Sequence, residues 1–305
     1  MTTTGVRAQV AGWNRPLLGL TAAAVVLTAV TLAGLLLDDR TLLGVPIWLK
    51  PFKFSVSFIL YAGTLAWMFS LLPRRGKAAE RATVVIVATS VAEMAVILTQ
   101  VGRGQTSHFN VTTGFNAALW ALMGASIMVL FLAQVVVAVV VLRARIGDRL
   151  AATGVRLGLG LSLLGMLAAL PMTMMREAVG GVAGSHSIGV ADGGPGLPVL
   201  GWSTTGGDLR AGHFIGLHAL QALPLLALLL TRFTRTTEAA RVRLLLVAGS
   251  GYGALTLLLT WQALRGQPVT APDALTLTAL GAVVAGTLTA ATMVLAADRK
   301  VVVTA

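Results

Sequence analysis

The chain has 305 residues and a formal net charge of +12, yet only 11% of its residues are charged, against roughly 25% in a soluble domain. With 56% hydrophobic residues and a mean hydropathy of +0.85, it reads as a polytopic membrane protein. The basic residues lie in short runs between apolar segments, which fits membrane orientation and not nucleic-acid binding, and the absence of cysteine removes disulfides, iron–sulfur clusters and thiolate metal sites.

A bilayer span takes about 20 mainly apolar residues, and eight segments qualify: 16–37, 52–72, 82–101, 115–142, 152–172, 212–230, 242–264 and 274–297. The first has no small-residue cleavage site before a polar domain and is read as a retained span. An N terminus placed inside puts Arg74, Arg75, Lys77 and Arg81 in one inner loop, Arg143, Arg145 and Arg149 in the next, and Arg232, Arg235, Arg241 and Arg243 in the third. Arg7, Arg15, Arg156, Arg299 and Lys300 join them, leaving outside Arg40, Lys50, Lys53, Arg103, Arg176, Arg210 and Arg265. The excess inside predicts an even number of spans with both termini cytoplasmic.

The second span enters through Ile47-Trp-Leu-Lys50-Pro51-Phe52-Lys53-Phe54, and the sixth through Asp208-Leu-Arg210-Ala-Gly-His213. Each brings cations to a helix N terminus, where an anionic group would be favoured; a plain interfacial tryptophan and lysines read equally well. Glu93 is the one carboxylate within an expected span, about 14 Å inward of Gly102 at the helical rise. It shares a helix face with Thr89 and Gln100 and must meet protein or water.

The third span ends as Gln100-Val-Gly-Arg103-Gly104-Gln105 and the seventh as Gln262-Ala-Leu-Arg265-Gly266-Gln267. This repeat predicts two parallel four-helix halves, 1–150 and 151–305, although helix-ending glycines and interfacial arginines also arise for ordinary reasons. Between the fifth and sixth spans a long connection, 173–211, holds His186, Asp192-Gly-Gly-Pro and Trp202, and is expected to fold as a lid over the outer face.

His213, His218 and Gln221 open the sixth span. His218 and Gln221 reach about 10 and 14 Å down it, a depth that lets either meet Glu93; structural hydrogen bonding between helices is the plainer alternative. His213 and His218 stand about 140° apart around the helix, poor geometry for one metal. His108 and His186 complete the set, and all four histidines fall on the outer half. Two histidines from different helices could hold a haem, and a polar pocket could take a quinone headgroup. Met172, Met174 and Met175, beside Arg176 and Glu177, read as interfacial packing before soft metal ligands, and Gly154, Gly158, Gly160 and Gly165 as close helix packing.

Trp48-Leu-Lys-Pro-Phe-Lys53, Gln100-Val-Gly-Arg-Gly-Gln-Thr-Ser-His-Phe-Asn110 and His213-Phe-Ile-Gly-Leu-His-Ala-Leu-Gln-Ala-Leu-Pro224 resemble a family of bacterial polytopic membrane proteins of no assigned activity. The resemblance implies a multi-pass protein of the bacterial plasma membrane. A looser architectural likeness is to haem A synthase, which pairs two four-helix halves around histidines and a glutamate; here Glu93 is followed by Met94, Ala95 and Val96, and the second and eighth spans hold no histidine.

The expectation is an all-α membrane protein with an outward-facing pocket for haem b, a quinone or another small ligand used in redox chemistry; the alternative is a proton-coupled transporter working through Glu93. Glu93 and His218 are the candidate catalytic pair. Gln100, His108, His213, His218, Gln221 and Gln262 line the expected pocket, with Lys50, Lys53, Arg103 and Arg265 at its mouth, and no metal site is expected. The expected partners are the lipid bilayer and a small molecule, with no nucleic acid.

Overall fold

In lipid a helix lets a single apolar segment satisfy its own backbone, and the sixth run stays helical through Pro224. The computed structural model describes residues 12–74, 76–174 and 181–304, with side chains to residue 299. Arg7, Arg75, Met175, Arg176, Glu177 and the Lys300 side chain lie outside the described residues. Eight described helices are long and apolar enough to cross a membrane. They are α1 (Arg15–Leu37), α2 (Leu49–Ser70), α3 (Gly76–Gly102), α4 (Gly114–Arg143), α5 (Arg149–Leu167), α6 (Arg210–Phe233), α7 (Glu238–Leu264) and α8 (Ala274–Thr304). The fifth span is prolonged past a break at Ala168 by a short helix, Leu170–Met174. Side chains of Asn14, Thr113, Asp148, Thr237 and Asp273 each accept the backbone N–H three residues on, which sets where α1, α4, α5, α7 and α8 begin.

The chain divides into two compact units, Met1–Arg145 with Arg176–Gly184, and Ile146–Met175 with Ser185–Ala305. In the first, α1 packs on α2 and α3 on α4. The buried stripe of α3 runs Ala79, Thr83, Ile86, Ser90, Glu93, Ile97 and Gln100, steps of three and four that keep one face inward. Polar residues therefore recur along that face. A returning segment closes this unit's loop end, where Val111 donates to the Gly181 carbonyl and Ala183 to that of Phe109.

In the second unit α5 and α6 approach closely because Gly154, Gly158 and Gly165 carry no Cβ; one on Gly158 would lie 3.0 Å from the Ala219 carbonyl, and one on Gly165 would collide with the backbone of Gly216 and Leu217. Gly160 departs from the expected packing face and has open space around it, because its position falls outside the three-and-four spacing of the others. Of the long connection, the part from Gly181 is described and is folded. Two short strands, β3 (Ser187–Ile188) and β4 (Gly207–Asp208), pair antiparallel, and Gly207 lies against the Ala263 backbone at the end of α7. Two others, β1 (Thr41–Leu42) and β2 (Val45–Pro46), make the α1–α2 hairpin.

Candidate functional site

The first unit's site begins with Trp48. Its ring fills the space over Gly34, and its indole N–H donates to Asp38 Oδ2 at 2.7 Å. Arg40 grips the same carboxylate through Nε and Nη2, so the Arg40 hydrogen bonds, helped by Trp48, hold the Asp38 carboxyl well below the usual carboxylate range. This tie fixes the start of α2 and places Lys50 and Phe54, one turn apart, at the loop end of the unit.

From the other side, the loop after α3 turns back through left-handed Gly104 (φ 68°) and Phe109 (φ 59°), and lowers His108 between α2 and α3. Lys50 Nζ lies 3.0 Å from His108 Nδ1, and the Ser107 hydroxyl 3.1 Å from it. An ammonium only donates, so Nδ1 accepts and the ring proton sits on Nε2. That nitrogen faces Glu93 Oε1 at 3.7 Å, too long for a direct hydrogen bond. Glu93 Oε2 is buried with no hydrogen-bond partner. Phe54, Phe109 and Trp120 pack around the imidazole with ring centroids 5.7 to 6.1 Å away. Ammonium, imidazole and carboxyl thus stand in a row inside an aromatic collar, an arrangement able to hold a polar headgroup and move a proton along itself.

Next to this row lies a closed polar network. Gln100 Nε2 donates to the Thr106 carbonyl and to Asn116 Oδ1, both at 3.1 Å, and Arg103 Nη1 reaches Gln100 Oε1 and Asn116 Oδ1 at 2.7 Å each. The Arg103 guanidinium also lies 4.5 Å from the Phe115 ring centre. Gln100 and Asn116 are almost wholly buried and act as the frame that aims the loop. Lys53, three residues beyond Lys50 on α2, is partly buried.

The second unit treats its expected residues differently. His213 Nδ1 donates to the Gly165 carbonyl at 2.7 Å, a strut between α6 and α5. His218 is exposed and has Gln221 Oε1 at 3.4 Å, a long contact. Gln262 Nε2 donates to the Pro268 carbonyl at 2.8 Å, and Arg265 pairs with Asp273 at 2.7 Å. His186 pairs with Asp192 at 2.9 Å inside the folded connection. Burial alone would raise the Asp192 carboxyl, but the bonds and charge of His186 outweigh it and hold the group below the usual range.

The expected residues therefore resolve into two sets. Glu93 meets His108 inside its own unit, because the loop after α3 folds back over the helix end. His218 has its own neighbour one turn away. Of the cations expected to favour an anionic group at a helix N terminus, Arg210 holds the Asp208 carboxylate at 2.6 Å, and Lys50 holds His108. His108 is the one histidine of the first unit, with Lys50 at Nδ1 and Glu93 facing Nε2. Among the described residues, no three His, Asp or Glu side chains come together to hold a metal.

No protein-family model, curated protein or solved structure matches this chain. The functional reading therefore rests on geometry. Residues that bear on it and carried no signal in the spans are Phe54, Ser107, Asn116 and Trp120. Asn116 and Trp120 were marked only by their four-residue spacing behind the Thr113 cap, and Phe54 by its place one turn after Lys50.

Proposed function

We propose that this multi-pass membrane protein binds the headgroup of a quinone-class ligand in its first four-helix unit and exchanges protons with it. The observation that carries this reading is the buried Glu93 Oε2, left without a hydrogen-bond partner beside a Lys50–His108 pair whose imidazole packs against aromatic rings. A buried carboxylate oxygen costs stability when unsatisfied, and a site that keeps one has a use for it. A quinone carbonyl accepts from the imidazole or ammonium, its flat ring stacks against Phe54 or Trp120, and the carboxylate takes the proton of a bound quinol hydroxyl or the carboxyl returns it to the quinol anion, one O–H bond forming as another breaks. The remaining parts of the reading are a bacterial plasma membrane, both termini cytoplasmic and a duplicated four-helix unit, supported by the excess of basic residues in alternate loops and by the repeated Gln-x-x-Arg-Gly-Gln.

The test is binding by purified protein. Titration with a short-chain benzoquinone or naphthoquinone should quench tryptophan fluorescence saturably, through Trp120, and organic extracts of the protein should contain lipid quinone. Glu93→Gln and His108→Ala should each abolish saturation. Linear, non-saturating quenching together with quinone-free extracts would sink the reading.

A further inference from the structure

The buried face of α3 carries a second unpartnered polar atom. Ser90 Oγ is fully buried, has no hydrogen-bond partner, and lies one turn from Glu93 towards the far end of the unit. The bond from Gln100 to Asn116 sets the antiparallel register of α3 and α4, so residues equally far from it along the two helices come level; Ser90 is then level with Ser126, which is also buried. Two orphaned oxygens on one inward face, with a third hydroxyl opposite, are what ordered internal water satisfies.

The polar groups continue beyond Ser90. Phe54 packs against the Met94–Ile97 cluster, and Tyr61, seven residues along α2, stands about 10 Å further in, level with the stretch of α3 between Ser90 and Thr83. Its hydroxyl donates to Gln134 Oε1 at 2.7 Å. At the far end Asn14 Nδ2 donates to Glu80 Oε2 at 3.0 Å and reaches Thr83 Oγ1 at 3.4 Å, and both Asn14 and Thr83 are buried.

We propose that the first unit conducts protons along the buried face of α3, from Glu93 through water held at Ser90 and Ser126, past Tyr61 and Gln134, to Thr83, Glu80 and Asn14. Each hop makes one O–H bond as it breaks another, and no electrons move. His108 reloads the Glu93 carboxylate from the loop end, Nε2 giving up its proton as Nδ1 takes one from the Lys50 ammonium, which water at the loop end then reprotonates, so the path shares Glu93 with the ligand reading but does not need the ligand. It gives the first unit a second activity, charge movement across its length.

Protein reconstituted into liposomes loaded with pyranine, under a potassium diffusion potential set by valinomycin, should acidify or alkalinise the lumen according to the sign of the potential. Glu93→Gln should lose that flux to the protein-free background. Ser90→Val should lose it while keeping saturable quinone quenching, which separates a failed path from a failed ligand reading. Thr83→Val, which keeps the side-chain shape, should lower the flux and guards against a Ser90 variant that does not fold. Wild-type flux equal to protein-free liposomes, or full flux in folded Ser90→Val and Thr83→Val, would overturn the proposal.

Discussion

The corner after α3 and the corner after α7 are built alike and used differently. In each, the glycine of Gln-x-x-Arg-Gly-Gln is left-handed, Gly104 at φ 68° and Gly266 at φ 73°. In each, the final glutamine N–H returns to the carbonyl of the first glutamine, Gln105 to Gln100 and Gln267 to Gln262, and the glycine N–H to the next carbonyl, which is the Schellman arrangement. The first glutamine's side chain then donates to the carbonyl six residues on, Thr106 or Pro268, and the arginine bonds the side chain at the third position of the next helix, Asn116 or Thr276. What differs is what hangs from the frame. The first corner is two residues longer and holds Ser107, His108 and Phe109 over Glu93; the second is closed by Pro268 and the Arg265–Asp273 pair, and the position matching Glu93 is Leu255. The corner is a common scaffold, and in the first one an acid and a histidine are set against it.

That contrast is most sharply tested at the glutamines. Gln100→Ala strips the Asn116 side chain, the Thr106 carbonyl and Arg103 of a shared buried partner and should lower stability by about 2–3 kcal/mol. Gln262→Ala loses a bond to the Pro268 carbonyl and should cost about 1 kcal/mol. Thermal unfolding in detergent measures both. Equal losses would mean that the first network is no tighter than the second.

The glycines should behave identically. Neither meets close neighbours where a Cβ would go, so Gly104→Ala and Gly266→Ala each carry only the left-handed backbone penalty, about 1–2 kcal/mol. Gly104→Ala should in addition weaken quinone quenching, because the same turn aims His108, whereas Gly266→Ala should leave it unchanged.

Much of this was open to a reader of the sequence, and the division follows physics. Twenty-residue apolar runs have one solution in lipid, so all eight spans were legible, as was the repeated motif at the two helix ends. The partner of Glu93 was not. Depth along a helix places His218 and Gln221 as well as His108, and only the left-handed Phe109, unusual for an aromatic residue, decides which imidazole descends onto the carboxyl. Asn14, Tyr61 and Gln134 were equally hidden: each is a lone polar residue beside an aliphatic run, and its role exists only once α1 meets α3 and α2 meets α4.

The smallest effect separates the corners by acid. The second corner and the connection beside it rely on carboxylates outside the helices: Asp273, held low first by its hydrogen bonds to Arg265, and Asp192, held low by His186 against its own burial. A carboxyl whose folded pKa lies below its unfolded value contributes stability that is complete above the unfolded value, about 4 for aspartate, and is lost as pH falls through the folded one. The first corner hangs on Gln100, Arg103 and Asn116, with no carboxylate among them. Lowering the pH from 5 to 3 should therefore raise hydrogen exchange, after correction for intrinsic rates, in the peptides covering 185–193 and 262–276 and leave the peptide covering 100–106 unchanged. Because Arg265 and Asp273 are both partly solvent-exposed, added salt should mimic part of that loss at 262–276. Arg265→Gln should shrink the acid response there, leaving the part that the Thr276 N–H bond to Asp273 maintains, while sparing that of 185–193, since the His186–Asp192 pair does not depend on it. Matching acid responses in the two corners would mean that a carboxylate also holds the first, and Glu93 would then be acting as a structural partner of His108.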